Sequence, residues 1–158
     1  MAGTRSINVA CMLTLLCGSA AGPAVAETNA SETGQLSSSQ AQTIRQFIDE
    51  KQAAWQQRLN LEDWHISVVM THRSDLKPKT LGGIRWDKGK KTAVISVLDP
   101  SDYKMSFHDM LDDMELTLVH EMVHLELASL PRSEASRSSE EHAVNGLAAA
   151  LVRLDKQK

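Results

Sequence analysis

The sequence predicts a small α+β domain, and three observations carry this prediction. Apolar side chains recur at helical spacing early in the chain, alternate with polar ones in its middle, and return to helical spacing in its last third. The 158 residues, of which 42% are hydrophobic and 23% charged, suffice for one domain of ordinary size. Helices that flank a group of strands in this way are typical of α+β folds.

The N-terminal residues 1–26 are typical of a secretory signal peptide. Arg5 precedes an apolar stretch from Ile7 to Cys17, and small residues then lead to an A-x-A end at Ala26. The stretch is about half as long as a membrane-spanning helix. We therefore expect cleavage, export to the periplasm or the medium, and no stable membrane insertion afterwards. Residues 27–38 are predicted to be a flexible polar leader, and residues 39–158 the domain.

A helix from about Ser39 to Leu59 opens the predicted domain, because its apolar side chains recur every three or four residues. A first strand follows from Trp64 to Thr71, where apolar and polar residues alternate. A second strand from Leu81 to Trp86 contains two consecutive glycines, which indicate a bulge or a close backbone approach. A turn then leads into a third strand, Thr92 to Leu98, so that the second and third strands form a hairpin.

Two further helices complete the predicted domain. The first runs from Phe107 to Ser129 and is apolar around nearly its whole circumference, which predicts burial on most sides. Its acidic side chains form only a narrow polar stripe: Asp112, Glu115 and Glu126. A Ser/Arg-rich link from Pro131 to Ser139 is predicted to lead to the last helix, Glu140 to Leu154.

The buried helix carries an HExxH motif, which consists of His120, Glu121 and His124. Residues four apart on a helix are rotated by only about 40°, so both imidazoles leave the same side and can bind one cation. The carboxylate of Glu121 lies beside that position, within reach of a water on the metal. Both cysteines, Cys11 and Cys17, lie in the predicted signal peptide, so a zinc site in the domain has to use His, Asp or Glu ligands.

The last helix supplies candidates for a third ligand in its first predicted turn, namely Glu140, Glu141 and His142. Asn145 lies four residues after Glu141, where its amide oxygen can accept a hydrogen bond from a metal-bound histidine and fix the ring. Glu140 lies nearer the centre of the apolar face but has no polar partner at that spacing. The pattern favours Glu141 as the ligand and leaves Glu140 as the alternative.

With these two helices the chain resembles the gluzincin class of zinc metallopeptidases. In that class an HExxH helix is followed by a second helix that contributes a glutamate, often with an acidic or amide residue four positions on. The matching segments are TLVHEMVHLEL, residues 117–127, and EEHAVNGLAAAL, residues 140–151. The resemblance covers roughly the last two-thirds of the predicted mature chain and implies a zincin-like minimal domain.

The resemblance implies a role for each matching residue. His120, His124 and Glu141 would bind Zn²⁺, and Glu121 would be the catalytic base that activates water for peptide-bond hydrolysis. The strand Thr92 to Leu98 would be the edge strand along which a peptide substrate lies extended. The link between the two helices is shorter than in the larger members of the class, and no separate C-terminal domain follows to form the far wall of a cleft.

The site also requires a cation or phenol that stabilises the transition-state oxyanion, and the sequence assigns this role to no single residue. Tyr103 and His108 are the nearest upstream candidates. Their alternative is a loop side chain whose polar tip lies in water.

The predicted function is that of an exported zinc endopeptidase acting on peptides or proteins. Two alternatives remain open. In the first, His142 turns inward and closes a non-catalytic metal site together with Glu140 or Glu141. In the second, the domain binds peptides along the strand Thr92 to Leu98 without cutting them. The net charge of −3 and the absence of a basic run argue against nucleic acid as a partner.

Overall fold

Three helices and a three-stranded sheet make up the computed structural model, which describes residues 36–131 and 133–157. The helices are α1 (Ser38–Arg58), α2 (Phe107–Glu126) and α3 (Glu134–Asp155), and the strands are β1 (His65–Thr71), β2 (Gly82–Asp87) and β3 (Thr92–Leu98). These elements confirm the α+β class. The predicted signal peptide and residues 27–35 of the predicted leader lie outside the described residues.

The domain begins slightly earlier than its sequence indicates. Ser37 caps α1 through a capping box with Gln40, and Leu36 packs against the core. Both residues were assigned to the leader because Ser-rich segments are typical of flexible linkers. A single apolar side chain ahead of a capping serine is enough to include them in the fold.

The start of α3 differs more from the prediction. The segment from Pro131 to Ser139 was predicted to be a link, but α3 begins at Glu134 with Ser133 as its N-cap. The side chain of Ser133 accepts from the backbone N–H of Ser136, and the side chain of Ser136 accepts from the N–H of Ser133. Serine is common both in loops and at helix caps, so composition alone did not locate the start.

The sheet has the order β1-β3-β2. β3 pairs with β1 in parallel and with β2 in antiparallel register, so the predicted hairpin is confirmed. The prediction that Thr92 to Leu98 is an edge strand is wrong, because β3 is the central strand and β1 and β2 occupy the two edges. Its burial agrees with this central position: Ala93, Ile95 and Val97 on one face are buried, as is Leu98 at the end, while Val94 and Ser96 on the other face are partly buried.

Helix α2 lies at the centre of the domain and contacts α1, α3, β2 and β3. Its buried apolar side chains include Met114, Leu118, Val119 and Met122, all fully buried. It ends in a short 3₁₀ turn, Leu127–Ser129, so the predicted helix to Ser129 is essentially reproduced. None of the helices in the described part of the chain combines the length and apolar character that a membrane span requires.

Glu115 was predicted to lie in the narrow polar stripe of α2, but the structure buries it. It is only 2% exposed, and its Oε1 accepts from Trp55 Nε1 at 2.9 Å and from Lys51 Nζ at 2.7 Å. Both partners lie on α1, so a buried charge-assisted pair joins α1 to α2. Helical periodicity placed Glu115 beside the other acidic residues but carried no information about α1.

Candidate metal centre

The HExxH residues lie on the half of α2 that faces α3 and the start of β2. Glu121 and His124 are each 7% exposed, and His120 is half-buried. Buried apolar residues precede and follow them on the helix, such as Val119, Met122 and Val123. The packing of α2 therefore fixes the backbone from which these polar side chains project.

Three side chains converge at the contact between α2 and α3. The Nε2 atoms of His120 and His124 are 3.1 Å apart. The carboxylate of Glu141 reaches both, with Oε1 at 3.3 Å from His124 Nε2 and Oε2 at 3.5 Å from His120 Nε2. Among the described residues, these three form the group able to hold a metal ion, with ligand atoms within 4.8 Å of one another.

The two imidazoles and the nearer carboxylate oxygen lie close to the spacing around a tetrahedral ion. Bonds of about 2.0–2.1 Å from zinc to nitrogen or oxygen require ligand atoms that lie about 3.3 Å apart. The two Nε2 atoms are 3.1 Å apart and Oε1 of Glu141 lies 3.3 Å from His124, while Oε2 is the oxygen that faces His120 at 3.5 Å. With one ligand atom from each residue, all three lie within 4.8 Å of one another. Two imidazoles with one carboxylate also form a donor set that proteins use for catalytic zinc, in which a fourth position remains for water.

Glu140 and Glu141 are consecutive residues on α3, and their carboxylates face different nitrogen atoms of the histidines. The Oε1 atom of Glu140 lies 3.0 Å from Nδ1 of His124, on the side of the ring opposite to Nε2. A carboxylate at Nδ1 accepts the ring proton, fixes the tautomer and leaves Nε2 available as a metal ligand. In this geometry Glu141 faces the Nε2 atoms of both histidines, and Glu140 faces the opposite nitrogen of the His124 ring.

Asn145 lies one turn after Glu141 on α3, and its side chain hydrogen-bonds His120. Burial lowers the pKa of His120, as does the neighbouring His124, while Glu141 and the bond from Asn145 act in the opposite direction. A lowered pKa keeps the imidazole neutral near pH 7, which is the state that binds a metal.

Glu121 projects towards the edge strand. An ideal Cβ added to Gly82, the first residue of β2, would lie 3.4 Å from Glu121 Oε1, so the strand backbone passes close to this carboxylate. The close approach predicted for the glycine pair is thus found at Gly82, whereas Gly83 has open space. Burial raises the pKa of Glu121 to about 7, with a further increase from the charge of Glu141 and a decrease from that of Lys77.

The structure does not bring the two oxyanion candidates to the converging side chains. The Tyr103 hydroxyl donates to Asp113 Oδ2 at 2.9 Å, and Asp113 lies two turns before Glu121 on α2. His108 lies in the first turn of α2, with its side chain 85% exposed and near Asp112. Twelve residues of helix separate it from His120, a distance of about 18 Å. Sequence reasoning missed Lys77, whose charge acts on Glu121, because no local pattern connects it to the motif.

His142 is exposed on α3 and is not a member of the group that could hold a metal ion. The closed site that would use it as a ligand therefore has no counterpart in this geometry.

Comparison of the chain with protein-family models, with curated proteins and with solved structures gave no match.

Proposed function

We propose that the domain is a zinc-dependent endopeptidase in which His120, His124 and Glu141 hold the metal and Glu121 is the general base. The observation that carries the proposal is the convergence of two Nε2 atoms and one carboxylate from α2 and α3, at separations of 3.1–3.5 Å. Bound zinc would supply a Lewis acid that polarises the peptide carbonyl and acidifies a water.

The chain's own residues supply the remaining parts of the reaction. Glu121 is buried beside the ligands, where a carboxylate can accept a proton from water and later deliver it to the leaving amine. Glu140 and Asn145 hold the two rings in position from α3. The edge strand next to Glu121 is β2, so an extended peptide that adds to this edge would place a carbonyl near the base.

The proposed substrates are peptides or unfolded proteins outside the cytoplasm. Export rests on the signal-peptide pattern of residues 1–26, and the periplasm or the medium is the proposed location. The slightly acidic balance of the chain, with 20 acidic against 17 basic residues, suits neither nucleic acid nor an anionic membrane surface.

The test compares the purified chain with its Glu121→Gln variant in zinc content and in cleavage of a mixed peptide library. We expect about one zinc per chain in both proteins, and a loss of turnover of at least about a hundredfold in the variant, since the general base is removed. Glu126→Gln is the matched control, because it removes an exposed carboxylate from the same helix.

Three outcomes would count against the proposal. Full turnover in Glu121→Gln would remove the base from the mechanism. Zinc bound by the wild type without any cleavage would favour a non-catalytic metal site or a peptide-binding role. Zinc retained after His120→Ala or His124→Ala would show that the metal lies elsewhere.

A further inference from the structure

A cavity of about 370 Å³ is lined by residues of the two elements that flank Glu121. One is Leu81, whose carbonyl accepts from the N–H of Leu98 at 3.0 Å and whose neighbour Gly82 would carry a Cβ 3.4 Å from Glu121 Oε1. Another is Asp113 of α2, which lies two helical turns, about 12 Å, from Glu121. An extended peptide advances about 3.3–3.6 Å per residue, so the cavity is within about three residues of the bond at Glu121.

Two carboxylates line the cavity, and hydrogen bonds hold both in place. Asp102 Oδ2 accepts from the backbone N–H of Arg73 at 2.9 Å and lies 3.2 Å from His72 Nδ1. These bonds lower the pKa of Asp102, which keeps it ionised. Asp113 Oδ2 accepts from the hydroxyl of Tyr103 at 2.9 Å. Both carboxylates are partly buried.

Two cations also border the cavity, but they differ from the carboxylates in mobility. Arg73 and Lys104 are exposed and carry their charges on long side chains. Such side chains can turn into water, whereas each carboxylate is oriented by a hydrogen bond, from the backbone of Arg73 or the hydroxyl of Tyr103. A ligand of positive charge therefore meets acceptors that are already positioned, and one of negative charge meets repulsion from fixed groups.

The remaining walls are apolar. Leu81 is 38% exposed and Met105 is 50% exposed, and both border the cavity. Together with the ring of Tyr103 they offer a surface for a chain of methylene groups. The cavity volume lies at the lower end of the range of about 300–1,000 Å³ for ligand sites, which suits one long side chain.

We propose that this cavity is a specificity subsite that binds a lysine or arginine side chain of the substrate, located within about three residues of the cleaved bond. The methylene stem would lie between Leu81 and Met105, and the cationic head would reach Asp113 and Asp102. The inference rests on the proposed peptidase function and extends it to a preference for basic peptides.

The first test reads cleavage sites in a peptide library and compares pairs of peptides that differ only by Lys against Gln. We expect basic residues to be enriched near the cleaved bonds of the wild type. The Asp113→Asn variant keeps an acceptor for Tyr103 but loses the charge, so the ratio of kcat/KM for the Lys and Gln peptides should fall about tenfold.

Asp112→Asn is the matched control, because Asp112 precedes Asp113 on α2 but pairs with Lys156 outside the cavity. Its ratio should equal that of the wild type. Enrichment of acidic residues, the absence of basic enrichment, or an unchanged ratio in Asp113→Asn would overturn the inference.

A second test separates this inference from the peptidase function itself. Nα-acetyl-lysine N-methylamide is titrated into the Glu121→Gln variant and followed by NMR, with the Nε-acetylated compound as its neutral counterpart. We expect shifts at Leu81, Tyr103 and Met105 with the charged compound only. Selective shifts in the variant, together with a wild type that cleaves nothing, would uphold the subsite and refute the peptidase. Cleavage by the wild type without selective shifts in the variant would refute the subsite alone.

Discussion

Replacement of Gly82 by alanine is expected to destabilise the domain and, by crowding Thr117 on the helix that carries Glu121, to disturb the proposed base, while the same change at Gly83 should do neither. A Cβ at Gly82 would overlap Cγ2 of Thr117 and would lie only 2.8 Å from the backbone oxygen of Ser96. Neither glycine has a positive φ, so an L side chain is not excluded by backbone conformation. The difference between the two positions is therefore one of space alone.

The expected change in stability follows from the atoms that surround each glycine. At Gly82 the obstacles are a β-branched side chain on α2 and the backbone of the central strand, neither of which moves easily. Overpacking of this kind costs about 2–3 kcal/mol, near the upper end of the usual range. For a domain of this size the melting temperature should fall by roughly 10 °C. At Gly83 no heavy atom lies within 4 Å, so alanine should leave stability unchanged or raise it by up to about 1 kcal/mol.

Thermal and urea unfolding, monitored by circular dichroism with a chelator present, measure both variants without a contribution from bound metal. Peptide cleavage in zinc then reports the position of Glu121, since a misplaced base loses turnover even in folded protein. Equal stability of Gly82→Ala and wild type would refute the reasoning. Equal destabilisation by both substitutions would show that the strand, and not the close approach, is what matters.

Three further predictions concern other contacts of the structure. Glu141→Gln should weaken zinc binding more than Glu140→Gln, for which a loss of about 10–100-fold is expected, as measured by competition with a chelator. Glu115→Gln should destabilise the domain by about 1–3 kcal/mol in urea unfolding, because a charged acceptor of two buried bonds becomes neutral. The hydrogen bond to Asp102 raises the pKa of His72 above its ordinary value of 6.5, so the bond's contribution to stability is present at lower pH and lost as pH rises through the raised pKa. An NMR titration should show that pKa fall in Asp102→Asn.

Each of these predictions has an outcome that contradicts it. Equal zinc affinity in the two glutamine variants would mean that neighbouring positions 140 and 141 do not have separate roles. The control for the buried pair is Glu126→Gln, an exposed site on the same helix, whose effect should stay within about 0.5 kcal/mol. An unchanged titration of the histidine would show that the ion pair at 3.2 Å does not persist in solution.

Local patterns predicted most of the elements of this fold. Periodicity placed the first helix, the hairpin and the HExxH helix within three residues of their observed bounds. Periodicity did not predict the features that depend on contacts between residues far apart in the sequence. The position of β3 between β1 and β2 depends on which strands meet, and its run of apolar residues was the one sequence signal of a central strand.

The same distinction applies to the candidate site, where geometry within one helix was predictable and geometry between two helices was not. The three residues of HExxH share one helix, so their mutual geometry follows from helical spacing. The assignment of Glu140 and Glu141 required the rotation of α3 relative to α2, which spacing within a single helix does not contain. Tyr103 and His108 were near in sequence but not in space, because a helix carries its early residues away from its late ones at about 1.5 Å per residue.

The three converging side chains come from two helices, so a bound ion would also have a mechanical effect on the domain. An ion held there would cross-link α2 to the second turn of α3, in a chain whose only cysteines are at positions 11 and 17. It would occupy the place that a disulfide takes in many exported domains. Withdrawal of the ion should then loosen the amino end of α3 before the rest of the domain, and expose the chain near Pro131 to cleavage by an added protease.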